Sequence, residues 1–378
     1  MKSIEGYVLE MRSKRPLFSI VASILFFVSM AFMLSPLQAL ASYAAVAPTG
    51  VTAKAYSVPG STSLPWGTAY NGNGNIWVAL PGCDPNPTCN PTPAGDIAVF
   101  DPAKPGWKQV INLPSDYAQA LFLAFDKNGN AWFPLPMANS IGRYNIASKQ
   151  FKRWTVPTAN AGPWDLAIDQ QGVIWFTEHF TNKIGSFNPT TQHFSEIPTP
   201  AGNSQPYGIT IDSHDNKWFT ENNSSVALIG EYTKKGSLLE YKIRNTFDNN
   251  LTPHLITVDH SDNIWWSEGF VGMIARLLVS QAQPGTNHGV TEYAYPQPCH
   301  CGTHASGIGV DSRGHVWFDD SLEGIFGYFP VSGTGSFSVF NAPDGPGGHP
   351  HDGLMVDPQN RVWFDEEFAS KIVLAIKS

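Results

Sequence analysis

Charge is scarce in this chain. Asp, Glu, Lys and Arg make up only 14% of its 378 residues, about half the usual share. That excludes long solvated helices, coiled coil and disorder as organising features. Cations are fewer still, 23 against 31 acidic residues for a net charge of −8. Such a surface lacks the clustered positive charge that sequence-independent nucleic-acid binding requires. Cysteine is limited to four residues. Apart from one run near the N-terminus, no apolar stretch is long enough to span a bilayer. Aromatic residues (12%), 34 Gly and 30 Pro are abundant instead. Many short strands joined by turns have this composition.

Residues 1–41 read as a signal peptide. A basic patch (Arg12, Lys14, Arg15) precedes an apolar run from Leu17 to Leu34, a Pro36 break, and Ala39-Leu40-Ala41, which predicts cleavage after Ala41. Met11 is an alternative start that fits such a signal better than Met1. The competing reading is an uncleaved anchor, because the run is borderline long enough to cross a membrane; membrane contact would then be confined to this segment. Residues 42–51 form a short linker. Cleavage removes four basic and two acidic residues, so the mature chain carries −10. It is expected to be secreted and monomeric. In an oxidising compartment Cys83 and Cys89 predict a disulfide across a small Pro-rich loop. Cys299-His300-Cys301 stays open between a reactive disulfide, pairing elsewhere and a soft-metal site.

Self-similarity is the strongest signal. Pro163–Asn188, Pro206–Thr233 and Pro253–Leu277 are copies of one unit, with weaker copies around Trp77, Trp132, Trp317 and Trp363. The seven repeat tryptophans are spaced 55, 43, 43, 47, 52 and 46 residues apart, which puts insertions in the first and fifth intervals. Each unit reads as four strands: an alternating strand ending in Asp, an IWFTE-like strand, an I-G-x-[FY] strand and one ending near Pro. Four strands at a forty-odd-residue period predict an all-β, seven-bladed propeller over 52–378. Fourth strands follow the first six copies, but the last copy stops at its third strand, Lys371–Lys377. Thr52–Pro59, just after the leader, is the missing seventh, so the N-terminal strand is expected to complete the last blade and close the ring. Asp126-Lys-Asn-Gly-Asn130 resembles the start of a calcium loop but reads as a turn, lacking the Gly and terminal Glu such a loop needs.

In a propeller the first strand of each blade lines the channel and the second returns to the same face. Three residues after the blade Trp stand Glu178, Glu221, Glu268, Asp320 and Glu366, with Glu367 next to the last. Opposite them stand Asp165, Tyr207, His254, Ser306 and His351/Asp352, with His304 and His349 just upstream. Carboxylates and imidazoles converging on one axis repel or share protons unless a cation or substrate is present, which marks metal binding or acid–base chemistry. Oxygen-rich ligation with one or two His predicts a divalent cation, Mg²⁺ first and Ca²⁺ or Mn²⁺ as alternatives, with no organic cofactor. For Glu178 and Glu221 the competing reading is a bond to backbone of the neighbouring blade. His179, His193, His214, His260, His288 and His315 are expected in turns or outer strands, without a role.

The PYGIT…WFTE…IG repeats over residues 60–378 resemble the streptogramin B lyase (virginiamycin B lyase) family. That resemblance implies a seven-bladed propeller that opens a cyclic depsipeptide by elimination. A His takes the proton alpha to the ester carbonyl while bound Mg²⁺ polarises that carbonyl. Pro253-His254-Leu-Ile-Thr matches the family's P-H-x-I-T, and Pro350-His351-Asp352-Gly353-Leu354 resembles its E-P-H-G-I with one residue inserted. The resemblance therefore implies His351 as the base, His254 as its catalytic partner, and Glu367 or Glu366 as a metal ligand. His349 stands where the family has a second metal-binding Glu, and His304 joins the predicted metal set. Asp165, Tyr207, Glu268, Ser306, Asp320 and Asp352 form the predicted substrate rim. The expected activity is a metal-dependent carbon–oxygen lyase acting on a small-molecule or depsipeptide-like ester. The alternatives are a lactonase-like hydrolase and a non-catalytic propeller that binds a ligand or protein.

Overall fold

The structure, a computed structural model, describes residues 50–60, 64–84, 92–243 and 250–378. The leader over 1–41, the linker as far as residue 49, and Cys89 lie outside the described residues. Seven four-stranded antiparallel sheets account for the described chain, with two 3-10 turns, Val279–Gln281 and Gly345–Gly347. No helix among the described residues is long and apolar enough to cross a membrane.

Six sheets are meanders of consecutive strands. Blade three runs Pro163–Ile168, Ile174–Glu178, Lys183–Asn188 and His193–Pro198. The seventh sheet joins the two ends of the ring. Val51–Ser57 lies antiparallel to Lys371–Lys377, with Val51 opposite Lys377 and Ser57 opposite Lys371. Arg361–Glu366 and Met355–Val356 complete that sheet. The N-terminal strand thus covers what would be an open edge, the arrangement that prevents edge-to-edge pairing.

One turn repeats around the ring and explains the Asp-x₅-Trp spacing. In blade four Asp212 Oδ1 accepts the His214 and Asn216 N–H groups at 2.9 and 2.8 Å, while Oδ2 accepts the Trp218 indole N–H at 2.9 Å. The same carboxylate–indole bond links Asp126 to Trp132, Asp169 to Trp175, Asp259 to Trp265, Asp311 to Trp317 and Asp357 to Trp363, at 2.8–3.0 Å. Each carboxylate fixes the first hairpin and gives a buried indole its partner. Blade one carries Asn71 instead, whose Oδ1 serves only backbone N–H groups, and the buried Trp77 indole has no partner.

The second strand of each blade faces both neighbours, because successive side chains point to opposite sides of a sheet. Trp175 packs with Ile209 of blade four, whereas Phe176 packs with Trp132 of blade two. The next pair continues the alternation. Thr177 Oγ donates to the Tyr207 carbonyl at 2.7 Å, Thr220 to that of His254 at 2.6 Å and Ser267 to that of Ser306 at 2.5 Å. These bonds tie each blade to the next beside the axis.

Candidate functional site

A repeated irregularity aims side chains at the hub. In blades three to six the first two strands lose register between Pro163 and Leu166, Pro206 and Ile209, Pro253 and Ile256, and Ala305 and Ile308. Bulges re-aim the side chains they contain, here Trp164, Tyr207, His254 and Ser306. Blade seven has the same anchors. Pro350 bridges Glu366 as Pro163 pairs with Glu178. Gly353 N–H donates to Asp365 as Asp165 N–H donates to Thr177. One residue separates these anchors in blade three but two in blade seven, so the insertion brings both His351 and Asp352 to the centre.

Asp352 is the middle of the cluster. Its Oδ1 lies 3.0 Å from His254 Nε2, its Oδ2 accepts the Tyr207 hydroxyl, and His351 Nδ1 is 3.8 Å from Oδ2. Glu367 Oε2 stands 3.9 Å from His351 Nδ1 and 3.6 Å from His349 Nε2. The His304 ring lies 4.8 Å from that of His254 and 5.5 Å from that of His351. Its Nδ1 meets Ser321 Oγ at 3.0 Å and Ser306 Oγ at 3.3 Å, its main-chain N–H donates to Asp320, and Phe270 stacks on the ring. Gly269 is required here, because a Cβ would sit 2.7 Å from Thr252 Oγ1 and 3.0 Å from the His304 ring. His349 stacks on Phe368 in a left-handed conformation, φ 56°, which costs a non-glycine residue on the order of 1 kcal/mol. The opposite wall is aromatic: Trp66 packs edge-on to His351 and Trp164, and Trp164 lies against Tyr207.

Burial and mutual repulsion set the charges. Burial lowers the basicity of His349, to about 3, and of His304 and His351, with the neighbouring imidazoles adding to the effect. Burial also opposes ionisation of Asp352, but His351, His254 and Tyr207 together hold its carboxyl well below the usual range. Glu367 rises to about 8, from burial first and then from Asp84 and Asp352. The centre is therefore one fixed carboxylate near three imidazoles of lowered basicity, His304, His349 and His351.

The arrangement fits a cation. His254 Nε2, His351 Nδ1 and Asp352 Oδ1 are buried and none is aligned with a hydrogen-bond partner; the short His254–Asp352 approach is off the N–H axis. Two sets offer ligand atoms within 4.8 Å of one another: His254, His304 and His351, and His349, His351 and Glu367.

The acids three residues past each blade Trp do not join this cluster. Glu178, Glu221 and Glu268 each meet an acid on the fourth strand of their own blade, Glu196, Glu240 and Glu292, which raises them after burial itself. Glu366 accepts the Asp344 N–H at 2.8 Å, so Glu367 rather than Glu366 reaches the cluster. Glu268 accepts the Trp266 indole N–H at 3.0 Å. Asp320 accepts the Tyr295 hydroxyl and the His304, Leu322 and Glu323 N–H groups. Asp165 is tied to Leu166 and Ile209 backbone. Ser306 supports His304, and Tyr207 supports Asp352.

Some residues with a place in the site carry no sequence signal. Asn222 holds His254 Nδ1 at 3.1 Å. His179, expected in a turn, is buried against Trp164 and Tyr207 and bonds the Pro206 carbonyl. Cys299 and Cys301 are joined, and their N–H groups donate to Glu323 at 2.7 and 3.1 Å, bracing the loop that carries His304. Cys83 is also disulfide-bonded.

The sequence profile of the Virginiamycin B lyase family matches residues 49–277, and the chain belongs to that family. The match runs from the N-terminal strand to the third strand of blade five and ends before His304, His349, His351 and Glu367. A streptogramin B lyase structure superposes with a TM-score of 0.73 at 22% identity, over 87% of this chain and 98% of the other. Virginiamycin B lyase from Staphylococcus aureus, as its selenomethionine form, gives 0.72 at 23% identity, over 87% and 100%. A catalytically inactive variant of that enzyme, solved with quinupristin, gives the same values. No curated protein matches the chain.

Proposed function

We propose that this chain is an exported, metal-dependent carbon–oxygen lyase that opens an ester or lactone by elimination. The observation that supports it most is the set of unpartnered, buried His254, His351 and Asp352 atoms beside Glu367 and His349. Family membership adds to that support.

Glu367 and His349 would hold the divalent cation. When bound, it polarises the substrate carbonyl and makes the adjacent C–H more acidic. Mg²⁺ is the family's choice, with Mn²⁺ suited to the extra imidazole. Burial keeps His351 neutral and ready to accept that proton. The C–O bond at the next carbon breaks, and the departing carboxylate keeps the electron pair. Asp352, ionised 3.8 Å away, stabilises the imidazolium formed. Trp66, Trp164 and Tyr207 give the ester an apolar wall and exclude water. Secretion through the leader is part of this reading, and the Cys299–Cys301 disulfide suits such a compartment.

Product mass tests the proposal with a cyclic depsipeptide such as quinupristin. Elimination opens the ring at unchanged mass and leaves a new double bond. A product heavier by one water would identify a hydrolase, and an intact ring with Mg²⁺ or Mn²⁺ present would remove this substrate class.

A further inference from the structure

We propose that His254, His304 and His351 form a second metal centre, which takes a borderline first-row cation of the Zn²⁺ class. This goes beyond the lyase reading, which needs only the set that contains Glu367.

The three rings come from blades five, six and seven and meet with ligand nitrogens within 4.8 Å of one another. On a tetrahedral ion with bonds of about 2.0–2.1 Å, nitrogens lie roughly 3.4 Å apart. Closure therefore needs movements of roughly 1 Å, shared among three side chains. Three imidazoles with a fourth position open are a donor set suited to Zn²⁺ and poorly suited to Mg²⁺, which demands oxygen.

The surroundings orient two of these rings. Asn222 at 3.1 Å fixes His254 Nδ1, which leaves Nε2 turned inward and, in this structure, buried without an aligned partner. Ser321 and Ser306 occupy His304 Nδ1, which leaves its other nitrogen for a ligand. Outer groups that hold the non-ligating nitrogen are what tune imidazole metal sites. Asp352 Oδ1, buried and unpartnered 3.0 Å from His254 Nε2, supplies compensating charge. His351, the base in the lyase reading, is a ligand here, so filling this centre opposes proton abstraction at His351.

Visible spectroscopy of the full mature chain titrated with Co²⁺ tests the centre. The expected result is about one bound Co²⁺ with the intense bands of four-coordination, displaced by Zn²⁺. His304→Asn should weaken Co²⁺ by roughly 100-fold, whereas Glu367→Gln should change it by less than about threefold. No Co²⁺ binding, or a loss with Glu367→Gln that His304→Asn does not share, overturns the proposal. If His304→Asn melts early, Ser321→Ala replaces it. That variant should weaken Co²⁺ by roughly tenfold, and an unchanged affinity would overturn the centre. Mg²⁺ binding in Glu367→Gln reports separately on the lyase reading.

Discussion

Two populations of buried carboxylates share this ring, and they differ in what their oxygens touch. In the outer turns each Asp spends its lone pairs on backbone and indole donors. Burial alone would raise Asp126 and Asp311, yet those donors hold both below the usual range. Toward the hub, burial is less well answered. Asp319 and Asp365 are pushed well above the carboxylate range, and each leaves one oxygen unpartnered. They stand where Thr177, Thr220 and Ser267 place hydroxyls, and one oxygen of each accepts a first-strand N–H, of Gly307 and Gly353, as those hydroxyls do. A satisfied carboxylate builds the repeat, and burial leaves the inner ones protonated.

The largest expected break in that contrast is at His351. His351→Asn should lower turnover of an identified substrate by roughly 10³-fold while the chemical denaturation midpoint stays put; equal loss in both would make His351 a packing residue. Asp212→Ala should do the reverse. It strands two backbone N–H groups and the Trp218 indole, costing about 3 kcal/mol of stability by denaturant titration, with kcat kept.

Glu221 sharpens the comparison through pH. Its carboxyl is raised to about 9, by burial first and then by Glu240. The folded state thus binds a proton that the unfolded chain releases near 4.5, so this contribution is complete below 4.5 and lost as pH climbs toward 9. Between pH 7 and 8 that one proton shifts the folding equilibrium by about tenfold. Glu221→Gln should flatten this part of the stability–pH curve, and an unchanged slope would contradict the assignment. The smallest effect is a gain: Asn71→Asp gives blade one the carboxylate its Trp77 indole lacks, worth about 1 kcal/mol in the same titration.

Much of the ring was legible because its signals are periodic. Seven tryptophans, the Asp six residues before most of them, and a strand missing at one end but present at the other are sufficient to fix blade number and closure. Local motifs single out His254, His351 and Glu367, which the structure brings together around Asp352. Which neighbours the acids three residues past each Trp meet is not given by a count along the strand; Glu366 and Glu367 differ by one residue and meet different groups. His179 and Asn222 were hidden for another reason. Their roles depend on contacts with the next blade, which no pattern within one repeat records.

Metal analysis of the mature chain purified without chelator tests the central claim most directly. The account predicts about one divalent cation per chain, lost when Glu367→Gln and His304→Asn are combined and retained in Asp212→Ala. A chain that emerges empty, and stays empty after dialysis against Mg²⁺, Mn²⁺ or Zn²⁺, would contradict it.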